Sequence, residues 1–212
     1  MPATRTNNSS EISERILDAA TRLFAARGFE GASLQDVADA VGIRKPSLLY
    51  HVSSKDALRM RVLEGVLAHW NDVLPRLLKA AATGSDQFDA VIAETVRFFA
   101  TDPDRARLLV REALDRPEEM VELIRSHVAP WVAIVCDTIR KGQEQGRIYP
   151  EVDPEAYIAQ VINLVISGVA TFHCIGVVAP ASAPQGRMPE RHIAELLRVA
   201  KTSLFLPGGA QE

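Results

Sequence analysis

Arg44, Lys45, Ser47 and Tyr50 put two cations, a hydroxyl and a phenol into one short stretch, RKPSLLYH. Groups of this kind neutralise phosphates and hydrogen-bond to base edges. His51 and, four residues on, Lys55 extend the set. The rest of the chain offers no catalytic constellation. The five histidines, His51, His69, His127, His173 and His192, show no metal-ligand spacing. The sequence contains no glycine-rich phosphate loop and no nucleophile motif around a serine or cysteine. We therefore expect a protein that binds rather than catalyses, with no cofactor and no metal.

To present those groups, the chain must hold RKPSLLYH on a helix whose other side is anchored. Leu34, Val37, Ala38 and Val41 form one apolar helix face. Ser33 precedes it as a good N-cap, and Asp36 adds an acid where the helix dipole favours one. Gly42 tolerates the positive φ that a tight turn requires. A second helix then begins at Lys45 with Pro46 in its first turn. Ala38 is small where the two helices cross, and Leu34, Val37, Val41, Ile43 and Leu48 anchor the unit. This is a helix-turn-helix, whose second helix fits the major groove of DNA.

The candidate DNA contacts are Ser33, Arg44, Lys45, Pro46, Ser47, Tyr50, His51 and Lys55. Ser33 is first a cap and second a phosphate contact. His51 is expected half-buried, with its ring toward a phosphate. Lys55 opens the next helix, whose N-terminus can bind a phosphate through backbone N–H groups. Each has a plainer reading as solvated surface, or for Tyr50 as an aromatic packed on the following helix.

The remainder also reads as helix. Residues 1–10 look like a flexible arm. Ile16, Leu17, Ala20, Leu23 and Phe24 mark a helix that Gly28 stops. Further helices are expected over 55–82, 86–100, from Pro103, over 116–146 with a kink at Pro130, over 154–175 and over 190–205. Residues 176–189 form a Pro/Ala/Gly loop, and 207–212 a polar tail. No stretch alternates as a strand would. The expected fold class is all-α with about nine helices: a helix-turn-helix domain over 11–58 and a larger helical body over 59–206.

Bulk properties agree with a soluble globular protein. Of the 212 residues, 47% are hydrophobic and 24% charged. The net charge of −3 is unevenly placed. Residues 1–61 hold 9 Lys and Arg against 7 Asp and Glu, and the rest hold 15 against 20, a basic head on an acidic body. Two cysteines, Cys136 and Cys174, cannot make a disulfide framework, and MPATRTNNSS has no apolar signal core. The expectation is a cytoplasmic protein with reduced thiols and no membrane partner. The apolar run 157–175 carries Gln160, Asn163, Ser167, Thr171 and His173, which favours a buried helix over a membrane span.

The stretch ILDAATRLFAARGFEGASLQDVADAVGIRKPSLLYHVSSKDAL, residues 16–58, resembles the DNA-binding domain of the TetR family of transcriptional regulators. The resemblance rests on Ala-x-x-Leu-Phe-x-x-x-Gly-Phe from Ala20 to Phe29, on the Ser33 cap and on KPSLLYHVSSK. Ser47, Leu48, His51, Ser54 and Lys55 match the family pattern. Leu49 stands where Tyr is common and Val52 where Phe is common. The resemblance implies a homodimer that sets two recognition helices into successive major grooves of a palindromic double-stranded operator. It also implies a small effector, bound in the body, that changes the spacing of the heads and releases the DNA.

On that implication the body needs a pocket and a dimer surface. The candidate pocket residues are Trp70, Phe98, Phe99, Trp131, Phe172 and His173, with Arg111 beside Glu112 as a polar pair. His127 and Asn163 are open to the same use, and an aromatic stripe is also ordinary core. For the dimer, Ala159, Ser167, Gly168 and Ala170 allow close helix approach, with Leu196 and Leu197 on the last helix; two such helices from each subunit make a four-helix bundle. The same Gly168 could instead relieve crowding within one subunit. The function expected is a ligand-responsive regulator, a repressor released by a small hydrophobic or aromatic effector. The alternatives are a thiol-based redox sensor using Cys136 and Cys174, or a small-molecule carrier or enzyme with a vestigial head.

Overall fold

Prolines and small polar caps set most of the helix starts. The computed structural model describes residues 4–80, 84–175 and 188–207. Among these, ten α-helices follow one another: α1 Thr4–Gly31, α2 Leu34–Val41, α3 Lys45–His51, α4 Lys55–Ala80, α5 Gly84–Thr101, α6 Pro103–Asp115, α7 Pro117–His127, α8 Ala129–Glu144, α9 Pro154–Ile175 and α10 Glu190–Thr202. Pro103, Pro117 and Pro130 each occupy a first-turn position, where their missing N–H has no partner to lose. The described residues contain no strand, only an isolated antiparallel bridge between Ile148 and Phe205.

Three differences from the sequence reading matter most to the fold. Residues 116–146 form two helices, not one kinked helix, which makes ten helices rather than nine. The ladder of α7 closes with Val128 N–H donating to Ile124 at 2.8 Å, and α8 opens with Val132 donating to Val128 at 3.1 Å. Pro130 has no N–H with which to continue α7, so the chain breaks there. Helix α1 begins at Thr4, inside the segment expected as an arm, since residues 4–10 hold no Gly or Pro to interrupt it. The last helix ends at Thr202, not residue 205. Leu204 and Phe205 turn inward instead, with Tyr149 N–H donating to Leu204 at 3.1 Å and Leu206 N–H to Arg147 at 3.0 Å. Most of the 176–189 loop and of the 207–212 tail lies outside the described residues.

The core is continuous from head to body. Ile16, Ala20 and Phe24 of α1 meet Val37 and Ala38 of α2, Leu48 of α3 and Leu58 of α4, all essentially solvent-free. Truncating a buried phenylalanine such as Phe24 to Ala typically costs about 3–5 kcal/mol. Helix α6 packs against α1 of the head on one side and α9 of the body on the other. Helix α9 is long and apolar enough to cross a membrane by length and composition alone, with a mean hydropathy of 1.7. In the fold it packs against α5, α6 and α8, and Val161, Val165 and Val169 are buried.

Candidate nucleic-acid interface and body cavity

The head is locked before it presents anything. Ser33 Oγ accepts from Asp36 N–H at 3.1 Å, and the Asp36 carboxylate accepts from Ser33 N–H at 2.8 Å, a complete capping box. The Ser33 hydroxyl and N–H, with Arg27 nearby, hold the Asp36 carboxyl below the usual carboxylate range. Gly42 sits in the left-handed region at φ 76°, where a Cβ would be strained, and Ile43 N–H returns to Ala38 at 3.0 Å. Arg15 donates to the Val41 carbonyl at 2.6 Å, tying α1 to the end of α2. Arg61 of α4 donates to the His51 carbonyl at 2.9 Å and to Ser13 Oγ at 3.0 Å, so the end of α3 is clamped to both α4 and α1.

Helix α3 rests on Leu48, which is fully buried, and turns its other side to solvent. Arg44, Lys45, Pro46 and Ser47 are exposed, and Tyr50 is 86% exposed. Among the described residues neither Arg44 nor Lys45 has a carboxylate partner within 4.0 Å. Leu49 is also exposed, while Val52 is buried beneath the helix. His51 is half-buried, with its ring edge-on to Tyr50 at 5.5 Å. Lys55 opens α4 as the spacing suggests, but its Nζ lies over the Phe29 ring at 4.2 Å, so part of its charge is engaged at the end of α1. Ser54 caps α4, accepting from Ala57 N–H at 3.0 Å.

The body holds a partly open cavity of about 830 Å³ lined by residues of α4, α5, α6, α7, α8 and α9. Trp70, Phe99 and Trp131 are in its wall, as is Asn163. Phe98, Arg111, Phe172 and His173 are not. Phe98 stacks on His69 with ring centroids 4.2 Å apart, and the Arg105 guanidinium lies over the Phe98 ring, 4.4 Å from its centroid. Phe172 packs edge-on against His192 at 5.1 Å, joining α9 to α10, and His173 is exposed. Arg111 lies against Gly28, where a Cβ would approach its Nη1 to 3.3 Å. Its neighbour Glu112 is buried and pairs with Arg59. The expected polar pair thus belongs to the junction of head and body. His127 lies outside the wall as well.

Arg59 is a residue that sequence reasoning missed. It lies three residues before Val62 on the apolar face of α4, and that register was the available signal. The burial of its guanidinium opposes the charge, but hydrogen bonds to Glu119 and Glu112 prevail and raise its pKa. Arg59 in turn holds the Glu119 carboxyl below its ordinary value. Burial pushes the His69 pKa down, against the pull of Glu94, whose Oε1 lies 3.7 Å from Nε2. Burial also pushes the Cys136 thiol up, away from the reactive thiolate, whereas Cys174 is exposed. Among the described residues no three His, Cys, Asp or Glu side chains cluster to hold a metal ion.

The small residues of α9 divide between several surroundings. Ala159 and Ser167 are in the cavity wall, Gly168 is half-buried with Met188 nearby, and Ala170 is buried within the protomer. On α10, Leu196 is buried and Leu197 half-buried. Besides Ile175 at the end of α9, the large apolar side chains that α9 and α10 leave outside are Leu164 and Val199, each 41% exposed, flanking a shallow groove lined also by Val152, Ala156 and Tyr157. Tyr157 fixes the base of that groove, donating to the Ala200 carbonyl at 2.6 Å.

Comparison with known proteins agrees with this arrangement. Residues 16–62 match the family model described as bacterial regulatory proteins, tetR family, and residues 85–197 match the tetracyclin repressor-like C-terminal domain. The chain is 32% identical over 164 residues to the biofilm operon icaADBC HTH-type negative transcriptional regulator IcaR of Staphylococcus epidermidis, covering 76% of this chain and 82% of that one. It is 35% identical over 85 residues to the HTH-type transcriptional repressor KstR2 of Rhodococcus jostii, a match that spans only 40% of each chain. In fold it is similar to the ketosteroid transcriptional regulator KstR2 of Mycobacterium tuberculosis, with a TM-score of 0.71, 16% identity and coverage of 92% and 95% of the two chains. The two family models and the IcaR match, over a helix-turn-helix head joined to this helical body, show that the chain belongs to the TetR family of transcriptional regulators.

Proposed function

We propose that the protein is a ligand-responsive repressor that binds a palindromic operator as a homodimer and leaves it when an effector fills the body cavity. The observation that carries this reading is the position of α6. It packs against α1 of the head, and its Leu109, Val110 and Ala113 form part of the cavity wall. A ligand that shifts α6 therefore has a packed route to the recognition helices. Arg44 and Lys45 contact phosphates or guanines, Ser47 and Tyr50 reach the groove, and His51, Lys55 and the Ser33 terminus meet the backbone; Pro46 sets the start of the helix. The dimer forms through α9 and α10 around Leu164 and Val199. The repressors among its relatives support repression as the sense of regulation. A regulator acting on chromosomal DNA works in the cytoplasm.

A gel shift with the DNA flanking the protein's own gene, titrated with salt, tests the reading. Tight binding to a palindrome that weakens steeply with salt is expected, because several phosphates are neutralised. Only weak, sequence-independent binding to that DNA and to a library of random duplexes would overturn it.

A further inference from the structure

The cavity is long, and its two ends differ chemically. One wall follows a single stripe of α8 through Val128, Trp131, Val135, Gly142 and Gln145. At 1.5 Å per residue that stripe is roughly 25 Å long. Helix α9 supplies the facing wall from Glu155 to Ser167. At the end nearest the head the wall is made of Trp70, Leu109 and Met120. At the other end Lys141 and Arg147 belong to it.

Those two cations are unspent. Among the described residues neither has a carboxylate oxygen within 4.0 Å. The Arg147 guanidinium donates to the neutral amide oxygen of Gln145. The acid in the same wall, Glu155, is engaged by Arg140, which also holds Asp137 at 2.9 Å. Lys141 lies in the last turn of α8, where the helix dipole favours a cation. That accounts for Lys141 but not for Arg147, which lies beyond the helix.

We infer that the cavity takes an elongated apolar molecule with an anionic head, a carboxylate or a phosphate ester. Its head lies between Lys141 and Arg147, and its body runs along α8 toward Trp70. The inference rests on reading the cavity as the effector site. The length and the aromatic wall select the chain, and the paired cations select the charge.

Trp70 and Trp131 are the two tryptophans of the chain, and both line the cavity, so intrinsic fluorescence reports occupancy directly. The full-length protein is titrated with dodecanoate, dodecyl phosphate, dodecanol and dodecyltrimethylammonium. The two anions are expected to bind saturably and at least about tenfold more tightly than dodecanol, the scale of a charge-assisted hydrogen bond. The cation should bind most weakly. The ranking of carboxylate against phosphate identifies the head. Lys141→Gln with Arg147→Gln should bring both anions down to the dodecanol level and leave dodecanol unchanged. If dodecanol binds as tightly as the anions and the double variant changes nothing, the charged head is overturned while the effector cavity stands. If no amphiphile alters the fluorescence, the inference is overturned. The effector reading then falls with it only if small uncharged apolar compounds also fail to bind and to release operator DNA.

Discussion

Arg59 Nη1 of α4 lies 2.7 Å from Glu112 Oε2 of α6, and both side chains are only 3% exposed. Glu119 of α7 takes a second guanidinium nitrogen, and Arg59 Nε is buried without a partner. The pair sits where the first helix of the body leaves the head and meets the helix that borders the cavity. Removing one partner strands the other charge in a dry environment. Arg59→Met should therefore destabilise the protein by about 3–5 kcal/mol, and Arg59→Met with Glu112→Leu should recover most of the loss. Glu119→Gln should cost far less, since Glu119 is 47% exposed on its side chain. Urea unfolding of the four proteins measures these differences. A double variant as weak as Arg59→Met alone would mean that packing, not stranded charge, sets the cost.

The recognition surface predicts a separation of binding from stability. Lys45→Ala and Tyr50→Ala remove exposed side chains and should leave the melting temperature unchanged, with stability within about 0.5 kcal/mol. Operator affinity should fall by about 1–3 kcal/mol for a side chain that reads a base. For Lys45, if its partner is a phosphate, the salt dependence should lose about one unit of slope. Operator titrations at several salt concentrations check both. Unchanged affinity in both variants would move the contact surface elsewhere.

Gly28 has φ 74° and ψ 170°, a combination open essentially to glycine alone. It turns the chain at the end of α1 while Arg111 of α6 packs against it. Gly28→Ala should cost about 1–3 kcal/mol from backbone strain. Thermal unfolding of the variant measures it, and a cost below about 0.5 kcal/mol would refute the strained turn.

His69 supplies a pH dependence with a definite sign. Burial among Trp70 and Phe98 depresses its pKa, with Glu94 pulling the other way and Arg105 and Arg76 adding to the depression. The unfolded chain then binds the proton more readily than the folded one. Stability is full above the ordinary histidine value of 6.5 and declines as pH falls through it toward the folded value. His69→Phe should flatten stability between neutral pH and about pH 5.5, where the reference histidine is mostly protonated. Melting curves across that range decide, and an unchanged slope would assign the dependence to other groups.

The exposed pair Leu164 and Val199 predicts the oligomer. Leu164→Glu with Val199→Glu places two charges on the proposed interface and should yield monomers by sedimentation, with operator binding reduced because two half-sites can no longer be held together. A dimer of unchanged affinity would place the interface on another face.

Much of the head was legible because its signals are local. The Ser33 cap, the left-handed Gly42, small Ala38 and buried Leu48 each constrain φ, ψ or helix register within a few residues, and the exposed side of α3 follows from them. The body was legible only as a series of helices. The break near Val128 was read as a kink, because a proline in a helical pattern announces an interruption but not whether the axis continues beyond it. Residues 4–10 read as an arm because polar composition alone does not distinguish a helix extension from a free end.

Residue types, periodicity and caps thus determined an all-α chain with a helix-turn-helix head and the side chains it shows to solvent. Only the tertiary structure decided which body residues share a cavity. Phe98 and Phe99 are neighbours on α5, yet Phe99 faces the cavity and Phe98 stacks on His69. Arg111 and Glu112 are neighbours on α6, yet one packs on Gly28 and the other closes a buried ion pair with Arg59. Successive helical residues point about 100° apart, as 3.6 residues per turn requires. What each one meets depends on how the helices cross, and those crossings are set by contacts between residues far apart in the chain.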